Sequence, residues 1–187
     1  PLFFSQSLEA IRIYGIINIA ISSFLIFYIL KEYIKKNHSI LAALSFASIM
    51  NYYFWLETSS EIVALPFILL SYLFFKNHEK SHINLFLSGI FISISTLIRL
   101  NIAYLVIFMV LFLIIKKIKI KKKIREIFLF GLSGLIPLIF IIIIYYKQGL
   151  ISLLYAGMVE VSLAYSSENS FLIGIYKYMK TIYKLCY

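Results

Sequence analysis

The chain has 187 residues, of which 62% are hydrophobic and 14% charged, with a mean hydropathy of +0.94; that leaves too little polar surface to clothe a soluble globule of this size. A net charge of +10 would suit nucleic acid in a soluble protein, but here the basic residues gather in short loops between apolar runs, the positive-inside pattern of helical membrane proteins, so nucleic acid is excluded as a partner. Residues 138–146 are continuously apolar or aromatic, whereas the strands of a membrane barrel alternate, which leaves helices as the spanning elements.

The chain opens on Pro1 and closes on Tyr187 inside an apolar and aromatic segment, so it reads as an internal piece of a longer protein. It carries no recognisable signal peptide. Its single cysteine, Cys186, excludes an internal disulfide.

A first helix is predicted over about residues 11–30, ending in a cytoplasmic loop, 31–39, that carries Lys31, Lys35 and Lys36. A second runs outward over 40–56. The polar stretch 57–61 makes the outer turn, and a third helix returns over 62–75 to the basic loop 76–82. Residues 83–115 then lie between two basic loops that should share a side, so they must cross an even number of times. As one helix they would extend about 50 Å, too long for one pass and short for two full ones. Two short helices are predicted, with an outer hairpin near Arg99 and Asn101 that should line a cavity, because irregular backbone at membrane depth needs protein or water around it. The loop 116–125 holds seven basic residues and reads as a topological signal, with anionic lipid contact as an addition. An outward pass follows over 127–146, closed by Lys147, Gln148 and Gly149. Residues 150–170, with Glu160, Glu168 and several serines, suit an outer loop or interfacial helix. In 171–187, Lys177, Lys180 and Lys184 share one helical face, as expected of an interfacial helix or the start of a further span. The domain reading is a helix bundle over 1–149, with about six spans of which two are short, followed by the outer segment 150–187.

Few residues carry chemistry. Glu57 and Glu61 are four apart and would share a helical face at the outer boundary, where they can bind a divalent metal, position an acceptor or act as a general base. Thr58 to Glu61 also fits a capping box that starts the third helix. Arg99 has no charged neighbour in sequence; it can bind a lipid phosphate through its planar fork or snorkel to outer headgroups. His78 and His82 have metal-ligand spacing, but no ligand set completes them, and with His38 they read as solvated loop residues. Aspartate is absent from the chain.

Three stretches, 7–77, 85–117 ("LFLSGIFISISTLIRLNIAYLVIFMVLFLIIKK") and 131–165 ("GLSGLIPLIFIIIIYYKQGLISLLYAGMVEVSLAY"), resemble the C-type membrane glycosyltransferases. That superfamily includes protein mannosyltransferases and bacterial lipid A aminoarabinose transferases. The likeness lies in a helix pair, an outer acidic turn and returning helix, then paired short helices around a basic residue, then a span and outer segment. It implies an all-α polytopic bundle, part of a larger C-type fold, in a bacterial inner (plasma) membrane. It further implies transfer of a sugar from a polyprenyl-phosphate donor to a hydroxyl of a glycan, lipid or protein acceptor at the outer face. Arg99 is then the cation that meets the donor phosphate, and Glu61, or Glu57 if the register slips, the acidic position of an outer loop that holds a metal or acceptor. No cofactor is certain. The catalytic base of such enzymes is usually an Asp in the first outer loop, so catalysis is expected to need sequence outside this chain. The competing readings are a multi-pass transporter, a lipid-linked sugar flippase and a polysaccharide polymerase; a transporter would place charges in several spans.

Overall fold

The computed structural model describes residues 8–53, 59–116 and 119–157, and among the described residues every regular element is helical. In chain order these are α1 (Leu8–Leu30), α2 (Lys36–Tyr53), α3 (Ser60–Lys76), α4 (His82–Ile98), α5 (Ala103–Ile115), α6 (Ile120–Lys147) and α7 (Ile151–Tyr155), with one 3-10 turn, Leu100–Ile102, between α4 and α5. The chain divides into two compact units, Pro1–Ile139 and Phe140–Tyr187.

In the first unit the usual burial pattern is inverted. Among the described residues the side chains most completely buried include Ala64, Leu85, Leu113 and six serines, Ser22, Ser39, Ser71, Ser88, Ser95 and Ser133, while Phe24, Phe108 and Phe128 lie exposed. Lipid tails are as apolar as leucine, so a membrane bundle gains little by burying large apolar groups. It gains by bringing helices close through small residues. α3 and α4 form the tightest pair, and α1 packs on both α2 and α3. The hydroxyl of Ser71 on α3 donates to the carbonyl of Ser88 on α4 at 3.0 Å, fully buried. On α4, Leu85, Ser88, Ile92 and Ser95 are buried at spacings of three and four residues, the stripe expected of a helix face in contact. Gly89 lets α4 approach α6 at Ser133, and the Ser93 hydroxyl donates to the carbonyl of Gly134 at 2.6 Å. Ala64, Phe75, Ile92, Leu113 and Phe130 complete an apolar core.

α1 and α6, of 23 and 28 residues, are long and apolar enough to cross a membrane. α4 and α5 have 17 and 13 residues, so at about 1.5 Å per residue they span roughly 25 and 20 Å, both short of a bilayer core of about 30 Å. This is the pair of short helices that the parity of the basic loops predicts.

Two helix starts differ from the sequence reading by about a turn or more. α2 starts at Lys36 instead of residue 40. α6 starts at Ile120 instead of 127, so most of the basic run is helical. A charged run marks where hydrocarbon ends; it does not end a helix, since lysine and arginine have good helix propensity and every backbone group stays bonded.

In the second unit α6 ends at Lys147. Gly149 takes φ +69°, its N–H donates to the Tyr146 carbonyl at 3.1 Å and that of Leu150 to Tyr145 at 2.9 Å. This is a Schellman closure, in which glycine accepts the left-handed conformation without a Cβ clash. α7 follows. Glu160, Glu168 and the lysines of 171–187 lie outside the described residues.

Candidate functional site

The three basic loops meet at one end of the first unit. Lys76, at the end of α3, pairs with Glu32 after α1, and its ammonium also lies over the Tyr33 ring, 4.3 Å from the centroid. Lys116, after α5, pairs with Glu79 at 2.5 Å and donates to Nε2 of His78 at 2.9 Å. Arg125 of α6 contacts Nε2 of His82 at 2.9 Å. Favourable pairing with Lys76 and with Lys116 holds the Glu32 and Glu79 carboxyls below their ordinary value.

The opposite ends of α3 and α4 are about 25 Å away by helix length. There the structure brings together two residues 38 positions apart in sequence. Glu61 lies in the first turn of α3, where the helix dipole favours a carboxylate. Arg99 caps α4: its extended backbone, φ −147° and ψ 110°, interrupts the helix, and its carbonyl accepts from Ile102 at 3.0 Å to start the 3-10 turn. Its Nη1 pairs with Oε1 of Glu61, while Oε2 accepts from the Ser60 hydroxyl at 3.4 Å. The side chains remain 34% and 52% exposed, so the pair adds little to stability. What it provides is a guanidinium held against a carboxylate of another helix and still partly exposed.

The capping-box reading is overturned. Ser59 is the N-cap and its side chain makes no cap bond, which puts Glu61 one residue too early to reach back as a box partner. Its carboxylate is turned to Arg99 instead. Glu57 lies outside the described residues. Among the described residues no three His, Cys, Asp or Glu side chains converge as a metal site, and a metal at Glu61 would have to compete with Arg99.

At the basic end the structure departs from the sequence expectation again. His38 and His82 are exposed, but His78 is only 7% exposed. Its ring stacks on Phe75 and meets the edge of Phe112. Nδ1 lies 2.6 Å from the Phe75 carbonyl, so with an ammonium donating to Nε2 the proton sits on Nδ1. Glu126, one residue after the basic run, is 2% exposed; Oε1 is 3.9 Å from Lys122 and Oε2 has no partner. Sequence reasoning passed over Glu126, although a lone acid beside seven bases signals a paired side chain. Between α3 and α5, with Ile92 of α4 as its floor, runs an apolar groove of about 570 Å³ whose basic end is marked by Tyr72, Lys76 and His78.

No curated protein and no solved structure gives a significant match to the chain. A family model does match: residues 2–146 fit that of the dolichyl-phosphate-mannose-protein mannosyltransferases. The match covers the helix pair, the acidic turn, the two short helices around Arg99 and nearly all of α6, which favours the transferase expectation over transporter, flippase or polymerase. The match spans more than half of the chain, and the chain belongs to the dolichyl-phosphate-mannose-protein mannosyltransferase family of C-type membrane glycosyltransferases.

Proposed function

We propose that the protein transfers a sugar from a polyprenyl-phosphate donor to an acceptor hydroxyl at the outer face of a bacterial plasma membrane. The observation that carries this reading is the pairing of Arg99 with Glu61 at the end of α3 and α4 away from the basic loops. By the positive-inside rule the basic end is cytoplasmic, so the pair faces outward.

The chemistry follows from the geometry. The acceptor oxygen forms a bond to the anomeric carbon while the bond from that carbon to the phosphate oxygen breaks, and the electron pair leaves with the phosphate. A cation fixed where that charge grows lowers the barrier. Arg99 supplies it, with Glu61 holding the fork in orientation until the phosphate takes over part of its hydrogen bonding. The lipid tail stays in the bilayer. The proton of the acceptor hydroxyl goes to a base that we do not assign to Glu61, because its carboxylate is engaged by Arg99.

The test is sugar transfer by the full-length protein in lipid bilayers, with mannosyl-phosphoryl polyprenol as donor. Arg99→Gln should lower transfer by roughly 10²–10³-fold, the scale for losing one charge-stabilising donor. Arg99→Lys should restore part of it, as a point charge without the fork. Glu61→Gln should raise KM for the donor more than it lowers kcat. Wild-type transfer by Arg99→Gln would overturn the proposal.

A further inference from the structure

The groove at the other end is a separate matter. Its walls are apolar, with Ile68, Leu105, Phe108, Met109 and Phe112 along its length, and its polar residues gather at the basic end. At about 570 Å³ it has the size of a small-molecule site, within roughly 300–1,000 Å³. Phe108 and Phe112 are more than half exposed, while Ile92 beneath them is buried, so the floor is protein and the mouth opens sideways between α3 and α5. Lys76 stands at the basic end of the groove, and Lys116 stands behind His78. Both lysines already meet carboxylates, Glu32 and Glu79. Those two acids are nonetheless outnumbered, because Lys31, Lys80 and Lys119 lie in the same loops. The end therefore keeps an excess of positive charge beside an apolar channel.

We propose that this groove binds one anionic glycerophospholipid of the cytoplasmic leaflet, with its phosphate at Lys76 and Lys116 and one acyl chain along Met109 and Phe112. Charge complementarity selects the headgroup: a phosphate carrying net negative charge is drawn by the net positive charge of these loops and can share Lys76 and Lys116 with Glu32 and Glu79, whereas a zwitterionic headgroup brings its own cation with it. Each lysine near the membrane surface favours an anionic headgroup by about fivefold. The site combines a recess with a cation at its end, Lys76 among the lining residues. A bound lipid would join α3 to α5 where few direct helix contacts do so. The proposal is independent of the Arg99 reading, since its test involves no sugar transfer.

The experiment places the full-length protein in nanodiscs containing equal phosphatidylglycerol and phosphatidylcholine, then counts retained lipids by native mass spectrometry. A phosphatidylglycerol with a photoreactive acyl chain maps the contact. The expected result is one retained phosphatidylglycerol, cross-linked within residues 105–112. The double variant K76Q/K116Q should lower the preference over phosphatidylcholine by about 25-fold, and Met109→Trp, which fills the channel while leaving the lysines, should abolish retention. Lys147→Gln, at the far end of α6, should change nothing. Equal retention of the two lipids, cross-linking confined to other segments, or undiminished retention by Met109→Trp would each overturn the proposal. A polyprenyl phosphate that displaces phosphatidylglycerol from the groove would also overturn it, by making the channel part of the donor path.

Discussion

Gly89→Ala should be the most damaging of the alanine replacements at Gly89, Gly131 and Gly134. A Cβ built at residue 89 would lie 2.0 Å from the Ser133 hydroxyl and 2.6 Å from the Phe130 carbonyl oxygen, where ordinary contact begins at 3.4 Å. The Ser133 hydroxyl can rotate, although its Cβ would still be at 3.2 Å. The Phe130 oxygen belongs to the backbone of α6 and cannot move alone. α6 must therefore withdraw by about 0.8 Å, enough to forfeit a quarter to a half of each van der Waals contact at the crossing. That withdrawal also stretches the Ser93 to Gly134 bond of 2.6 Å. Overpacking of this kind costs about 1–3 kcal/mol, which lowers the melting temperature by roughly 3–10 °C for a chain of this length. Two other glycines provide the controls. Gly131 has nothing within 4 Å of a built Cβ, and Gly134 meets only the Gly89 carbonyl at 3.6 Å and Ser93 Cβ at 4.0 Å. Gly131→Ala should stabilise α6 by about 0.5–1 kcal/mol through backbone entropy, and Gly134→Ala should be close to neutral. The assay is thermal unfolding of the four proteins in one detergent, followed by helical circular dichroism. Adding Ser133→Ala to Gly89→Ala should recover only part of the loss. If Gly89→Ala melts with Gly131→Ala, the α4–α6 crossing is not where the geometry puts it.

Three further outcomes are expected. Ser71→Ala removes the buried donor to Ser88 and should cost about 0.5–1.5 kcal/mol in the same melt; an unchanged midpoint would mean the bond contributes nothing. Glu126→Met replaces a buried carboxylate whose Oε2 has no partner, and should be neutral or stabilise by roughly 1–4 kcal/mol, whereas a loss of stability would point to a partner for that oxygen. Glu79 has a folded-state pKa below its ordinary 4.5 through its bond to Lys116, so its contribution is fully present above the unfolded value and is lost as pH falls through the depressed one. The gap in melting temperature between wild type and Glu79→Gln should therefore stay level from about pH 8 to pH 5 and close only below the ordinary carboxylate range. Closure already at pH 6 would contradict the assigned pairing.

The chain's periodicity and charge say much about where helices lie and little about how they are rotated. Parity of the basic loops, together with the length of residues 83–115, required a break near Arg99, and the break is there. Positive-inside charge also indicated that three loops share a side, and their side chains do meet. The serine and glycine contacts of α4 were less legible, because Ser88, Gly89 and Ser95 are unremarkable in composition and acquire meaning only once α3 and α6 are set against them. His78 shows the same limit. Its burial depends on Phe75, one helical turn earlier, together with Phe112 from α5, a ring that no local window contains.

The pairing of Arg99 with Glu61 lies between these cases. Each residue stands out alone, as a charge where hydrophobicity fails, but sequence offers two local explanations that keep them apart: a cap for the glutamate and snorkelling for the arginine. Geometry removes the first, since the N-cap falls at Ser59 and the carboxylate turns away from the backbone. The second also weakens, because a guanidinium that only sought headgroups would not need a carboxylate partner from another helix. A half-exposed ion pair contributes too little stability to explain itself. Its effect is positional: it holds a charged fork at the break between two short helices. Under the function proposed above, this fork is the group that meets the donor phosphate, and the Arg99→Gln and Glu61→Gln variants test that role.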